Sequence, residues 1–194
     1  MTGANMTSNL PGFGSTVLQL YIEALGGKSQ EPHVLDVGPI CTENIMFFAQ
    51  QVKKIYVCDM FMRVNRSRRK GRSSAESFVH LDYPKHVFDG IHLWDLIDHL
   101  DDQDASRLVG LCHEMLKPGG LMTVFAFEEA AERPLIRSFV ILDRYLMTFR
   151  PQTHLDLPWH FRTNRELISL FSVFPRISSF LSRSGARELL LERS

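Results

Sequence analysis

The sequence predicts an α/β domain whose mostly parallel sheet is covered on both faces by helices. Apolar runs rich in β-branched and aromatic residues recur at 33–37, 54–59, 88–94 and 121–127. Between them, apolar residues repeat at helical spacing, and strands that alternate with helices lie parallel in one sheet. The early runs also lead to acids, Asp36, Asp59 and Asp95, at the strand ends where open α/β sheets bind ligands.

A chain of 194 residues is long enough for one domain with one substantial core. Hydrophobic content of 44% and charged content of 23% are ordinary for a globular protein. Acidic and basic residues balance at 22 each, so net charge selects no partner. Cys41, Cys58 and Cys112 lie far apart with no C-x-x-C. That spacing argues against a disulfide framework or structural zinc and for a reducing compartment. No apolar run is long enough to span a bilayer. The start of the chain has no basic region followed by an apolar one, so no secretory signal is expected. These features predict a cytoplasmic protein without membrane attachment. Residues 1–14 are polar with Gly and Pro and are expected to be poorly ordered; 15–194 form the domain.

The elements follow in order. Ser15 caps a helix carrying Val17, Leu20, Tyr21, Ala24 and Leu25 on one face, and Gly26-Gly27 ends it. The run 33–37 reads as a buried strand. Thr42 caps the next helix, whose buried stripe is Ile45, Phe48, Ala49 and Val52. The stretch 54–59 (KIYVCD) reads as a second strand. Residues 62–74 (MRVNRSRRKGRSS) are dense in Arg and Lys and read as an exposed loop or a poorly formed helix. Residues 78–81 suggest a short strand, and 88–94 (FDGIHLW) a stronger one. Ala105, Leu108, Val109, Cys112, Met115 and Leu116 define an amphipathic helix, broken by Lys117-Pro118-Gly119-Gly120 before the strand 121–127. Pro134 opens a helix predicted to run through Leu146. The stretch 150–161 reads as a loop. Thr163 and Glu166 have capping-box spacing before Leu167, Leu170 and Phe171. Residues 177–181 and 188–191 suggest a hairpin around Gly185.

Four stretches carry a family likeness: "VLDVGP", "YVCD", "FDGIHLWDLIDHL" and "LKPGGLMTVF". In this order they resemble the class I S-adenosylmethionine-dependent methyltransferases, clearest over 34–127. The resemblance implies a single-domain, doubly wound, Rossmann-like sheet of seven strands, mostly parallel, with an antiparallel C-terminal hairpin. It also implies S-adenosylmethionine as cofactor. Asp36 and Gly38 match the family's glycine-rich loop, but Ile40 and Thr42 stand where two more glycines are expected. A β-branched Ile40 is costly at positive φ, and Pro39 stiffens the turn. The methionyl carboxylate is left to N–H groups at the helix start, with Thr42 and Asn44 as added donors. Glu43 would repel it if turned inward.

By the same resemblance Asp36 lies near the cofactor's amino group, with Gly38 and Pro39 forming the loop beside it. Asp59, with Met60 next to it, accepts from two ribose hydroxyls, because a carboxylate offers two acceptor oxygens. Asp82 receives the adenine amino group. Trp94 stacks on adenine or lines the substrate pocket. His99, with Asp95 and Asp98 beside it, is the candidate general base, since imidazole titrates near neutrality. Each has a structural alternative: a strand-end cap, a solvated acid, a packed aromatic or a turn histidine. His154, Asp156, Trp159 and His160 lie in a loop that either covers a substrate or packs as a connection. Neither they nor His80, Asp82 and His86 have metal-ligand spacing, so no metal is expected.

The basic run from Arg63 to Arg72 (with Arg66, Arg68, Arg69 and Lys70) is either a phosphate or nucleic-acid contact or a solvated segment. Without interleaved aromatics it is a poor stacking platform, so nucleic acid is disfavoured. An NAD-type oxidoreductase is disfavoured because G-x-G-x-x-G is absent. Two readings stay open. The chain is a methyltransferase on a small-molecule or unknown acceptor, or it is a pseudoenzyme of that fold with an occluded pocket that serves a protein partner.

Overall fold

The computed structural model describes residues 12–127, 136–182 and 185–194. Four strands are parallel: β2 (His33–Asp36), β3 (Lys54–Val57), β4 (Phe88–Trp94) and β5 (Leu116–Phe127). Two more, β8 (Arg176–Leu181) and β9 (Ala186–Glu192), form the expected hairpin, with β9 antiparallel to β5. The order across this sheet is β3-β2-β4-β5-β9-β8. A separate sheet, in the order β1-β7-β6, joins β1 (Phe13–Gly14), β6 (Arg137–Asp143) and β7 (Leu146–Pro151).

Among the described residues the main sheet therefore has six strands, not seven. The missing one is the strand expected at 78–81, which is instead the end of a 3-10 helix, Ser74–Leu81. Ser73 caps it by accepting from the Ala75 N–H, and Ser77 Oγ bonds Ser67 Oγ at 2.8 Å. Phe78 and Leu81 are buried while Val79 and His80 are exposed. That three-residue interval suits a 3-10 turn and breaks the alternation a strand requires.

The helix expected from Pro134 is the second correction. Pro134 itself lies outside the described residues, but the chain from Arg137 forms the β6–β7 hairpin. Phe139, Val140 and Ile141 suit a pleated, half-buried surface. The turn between Asp143 and Leu146 has Arg144 at φ 45° and contains neither Gly nor Asn. Those are the residues that usually announce such a turn, so the hairpin carries no sequence signal.

The helices need smaller corrections. α1 (Thr16–Lys28) runs through Gly26-Gly27, and it buries Leu18 rather than Leu20. In α2 (Thr42–Ala49) Cys41 holds the N-cap position without a side-chain capping bond, Thr42 is the first helical residue, and Val52 falls beyond the end. The basic run forms a true helix, α3 (Met60–Arg69), with Met60, Phe61, Val64 and Asn65 buried. Its arginines crowd the last turn, where positive charge complements the helix dipole. α4 (Asp102–Met115) and α5 (Asn164–Leu170) match expectation, the latter with its complete Thr163–Glu166 capping box.

Strand alternation divides the core. Met122, Val124 and Ala126 face α3, α4 and α5. Leu121 and Phe125 face α1, α2 and the small sheet. The small sheet thus lies over the α2 side, against the C-terminal edge of the main one. No helix among the described residues is long and apolar enough to cross a membrane.

Candidate functional site

β2 delivers Asp36 to the edge of the main sheet, in register with Val57 of β3 and His92 of β4. Its carboxylate is buried, and Oδ1 accepts from the Gly38 N–H at 2.9 Å and from the Trp94 indole Nε1 at 2.6 Å. Burial pushes Asp36 up to about 6, against the lowering effect of those two donors. Trp94 has φ 52° and stacks on Phe125 and Phe139 at centroid distances of 5.6 and 5.5 Å. β4 shifts register against β5 between His92 and Trp94, and such irregularities re-aim a side chain at a sheet rim. The indole lies directly over Gly38: a Cβ there would collide with Trp94 Cδ1 and come within 2.6 Å of Nε1. Gly38 is needed because Trp94, not open space, sits above it. Pro39 is buried beside it, whereas Ile40 is 68% exposed.

Asp59 caps α3, its Oδ1 accepting from the Met62 N–H at 2.8 Å. Oδ2 turns to the loop after β2 and accepts from Ile40 N–H at 3.4 Å. Asp36, Gly38, Trp94 and Asp59 are therefore brought together. Met60 is not among them: its side chain is fully buried in the α3 core. Asp82 is exposed at the end of the 3-10 turn, and no described hydrogen bond joins it to this group.

The side chains of Glu43 and Asn44 at the start of α2 are already engaged by the protein's own groups. Glu43 faces outward, bonded to Arg150 Nη2 at 2.5 Å and to Cys41 Sγ at 3.2 Å. The Arg150 guanidinium holds its carboxyl down at about 2. Asn44, expected to offer an amide to a ligand, instead serves as a strand partner for β6. Its Nδ2 donates to Phe139 O and its Oδ1 accepts from Ile141 N–H, both at 2.8 Å.

A second polar group follows β4 on a 3-10 turn, Leu96–His99. Asp95, Asp98 and His99 are all buried there, with His99 Nε2 3.8 Å from Asp95 Oδ2. The loop before α5 closes over them. His99 Nδ1 bonds Pro158 O at 2.8 Å, Trp159 packs edge-on to the His99 ring, and the His160 N–H donates to Asp98 O. A carbonyl only accepts, so Nδ1 carries a proton and Nε2 is the atom that titrates. Burial alone would lower His99, but Asp95, the Pro158 carbonyl and Asp98 together hold it above its ordinary value. Burial and the neighbouring Asp95 charge push Asp98 up to about 7. Asp95 Oδ1, Asp98 Oδ1, His99 Nε2 and Trp159 Nε1 are buried without a hydrogen-bond partner. Two acceptors, a donor and a titrating nitrogen can take a water or a polar group of a small ligand.

Sequence reasoning missed Arg162. Its buried guanidinium donates to Ile97 O at 2.5 Å and Leu100 O at 2.8 Å, clamping the turn that carries Asp98 and His99. One Arg in a loop gives no signal of this. No group of three or more metal-binding side chains occurs among the described residues.

The sequence model described as a methyltransferase domain matches residues 13–174. No curated protein sequence matches the chain. Solved structures do. The Burkholderia thailandensis 1,6-didemethyltoxoflavin-N1-methyltransferase, with bound 1,6-didemethyltoxoflavin and S-adenosylhomocysteine, is 15% identical with a TM-score of 0.51, covering 92% of this chain and 79% of that one. An S-adenosylmethionine-dependent methyltransferase from Mesorhizobium loti is 14% identical with a TM-score of 0.52, covering 88% and 96%. Streptomyces venezuelae DesVI is 13% identical with a TM-score of 0.54, covering 91% and 93%. At these identities the likeness is one of fold.

Proposed function

The chain belongs to the methyltransferase domain family, and from that premise we propose that it is an S-adenosylmethionine-dependent methyltransferase acting on a small molecule, seen here in a closed form. The carrying observation is that Asp36 and Asp59, at the ends of adjacent parallel strands, converge on the one loop 36–41. That is the placement a nucleoside cofactor with an amino-acid tail requires: one acid for ribose hydroxyls, one for an ammonium.

The two ends of the cofactor meet different conditions. At the ribose end Asp59 Oδ2 has one long bond and is partly exposed. The methionyl end does not fit this conformation. Asp36 is already paired to Trp94, the space over Gly38 is filled by indole, and the Glu43 and Asn44 side chains at the α2 start are taken up by Arg150 and β6. For the acceptor we assign the Asp95–Asp98–His99–Trp159 group, with His99 Nε2 as the base. Enclosure under the loop 155–160 favours a small acceptor over a macromolecule. Two arginines of the basic run have local partners: Arg69, at the end of α3, bonds His154 O at 3.0 Å, and Arg72, beyond the helix, pairs with Glu76 at 3.7 Å. Three buried free thiols suit a reducing compartment, and we assign the cytoplasm.

A second reading is favoured by the filled methionyl end alone: a non-catalytic member that serves as a binding module. Calorimetric titration with S-adenosylmethionine and S-adenosylhomocysteine separates the two. The first reading expects saturable binding, weakened at least tenfold by Asp59→Ala. Absence of heat at millimolar ligand, from wild type and from a protein opened at Trp94, would leave the second.

A further inference from the structure

We propose that Trp94 is the resident occupant of the cofactor's methionyl subsite, so that ligand enters by displacing the indole from Asp36 and Gly38. The inference rests on the cofactor reading above and deepens it.

Three observations converge on this residue. First, the indole N–H occupies the carboxylate that a ligand's ammonium would use, at 2.6 Å from Asp36 Oδ1. Exchange replaces one donor by another, and Asp36 keeps a partner throughout. Second, the ring fills the ground above Gly38, where the loop backbone is open to close approach. Indole and ligand cannot both occupy it. Third, Trp94 is held at φ 52°, a conformation that bulky residues rarely adopt. Strain of this kind concentrates at binding and switch positions, and leaving the closed state relieves it. Opposing that relief are the stacks on Phe125 and Phe139, which hold the ring in place. Phe139 is positioned in turn by the Asn44 bonds to β6. The closed state is thus a balance between one strained backbone position and an aromatic stack.

A closed majority state reduces apparent affinity by the fraction of molecules that are open. Removing the indole should therefore raise affinity. Glycine is the natural replacement, since it accepts φ 52° without strain. The chain has two tryptophans, so Trp159→Phe leaves Trp94 as the sole emitter.

The test uses the full chain in two arms, with S-adenosylhomocysteine as the probe. In the Trp159→Phe protein, titration should shift Trp94 emission to the red and expose it to acrylamide as the ligand binds. In Trp94→Gly, affinity should rise at least tenfold over wild type. If Trp94→Gly does not fold, the first arm decides alone. Binding without a change in Trp94 emission would overturn the displacement proposal and leave the methyltransferase reading intact. Binding by Trp94→Gly but not by wild type would support it. No binding by any of the proteins would overturn both.

Discussion

Asn44→Ala tests the link between the small sheet and the site. Asn44 is buried at 2% exposure, and its amide makes two bonds of 2.8 Å to the backbone of β6, at Phe139 O and Ile141 N. It replaces the strand neighbour that β6 lacks on that side. Alanine leaves a carbonyl and an N–H unpaired in a buried place. Each such group costs about 1–3 kcal/mol, so the pair predicts a loss of about 2–6 kcal/mol. The lower end applies if water reaches β6. Asn44→Asp is the informative comparison: it keeps the acceptor for Ile141 but sets a carboxylate against the Phe139 carbonyl, so it should do no better than alanine. Urea denaturation at constant m-value reads the difference. Because Phe139 stacks on Trp94, Trp94 emission in the Trp159→Phe background should shift without ligand as well. A stability change below about 0.5 kcal/mol, the range of an ordinary surface substitution, would refute the reasoning.

Other outcomes are expected. Arg162→Ala should destabilise by about 1.5–3 kcal/mol for each of the carbonyl bonds lost at Ile97 and Leu100. The guanidinium also donates to the 95%-exposed Asp102 from Nε at 3.2 Å and Nη2 at 2.9 Å, so Asp102→Ala should destabilise, but less than Arg162→Ala, in the same denaturation assay. Gly90→Ala should be severely destabilising because its Cβ would strike the Tyr21 hydroxyl and come within 2.6 and 2.9 Å of two ring carbons; Tyr21→Phe, which removes a buried hydroxyl with no partner, should be neutral or better alone but should recover only part of the Gly90→Ala loss, since the ring carbons still collide. Asp36 holds its proton more tightly folded (about 6) than its ordinary 3.8. Its ionisation therefore costs nothing below pH 4 and up to about 3 kcal/mol above pH 6. Asp36→Asn should gain on wild type by that order as pH rises through this window, measured as the difference of two denaturation midpoints. A flat difference would mean the carboxylate is not buried as described.

The core was legible because a strand buried on both faces leaves a continuous apolar run and a helix buried on one face leaves a 3.6-residue repeat, as at 121–127 and 105–116. The strand-end acids were legible for the same reason: they terminate apolar runs. The site's closure was not. Trp94 reads from sequence as a packed aromatic or a cofactor platform, and only the strand irregularity beside it shows that it turns onto Gly38. Asn44 looked like a ligand donor at a helix start, because its true partner is 95 residues away on a hairpin whose Asp143-Arg144-Tyr145-Leu146 turn lacks the usual residues. Phe78–Leu81 read as a strand because an apolar pair three residues apart is ambiguous over so short a stretch. Asp95, Asp98 and His99 were grouped correctly by their proximity in sequence. The lid of Pro158 and Trp159, 59 residues on at its first contact, could be suspected only from its position in the chain.

The most direct measurement is a crystal structure of the protein grown with S-adenosylhomocysteine. The expected result is the nucleoside against Asp59, the amino group bonded to Asp36, and Trp94 swung off Gly38. Ligand bound with the Trp94–Asp36 bond intact, or crystals in which saturating ligand leaves the edge closed, would contradict it.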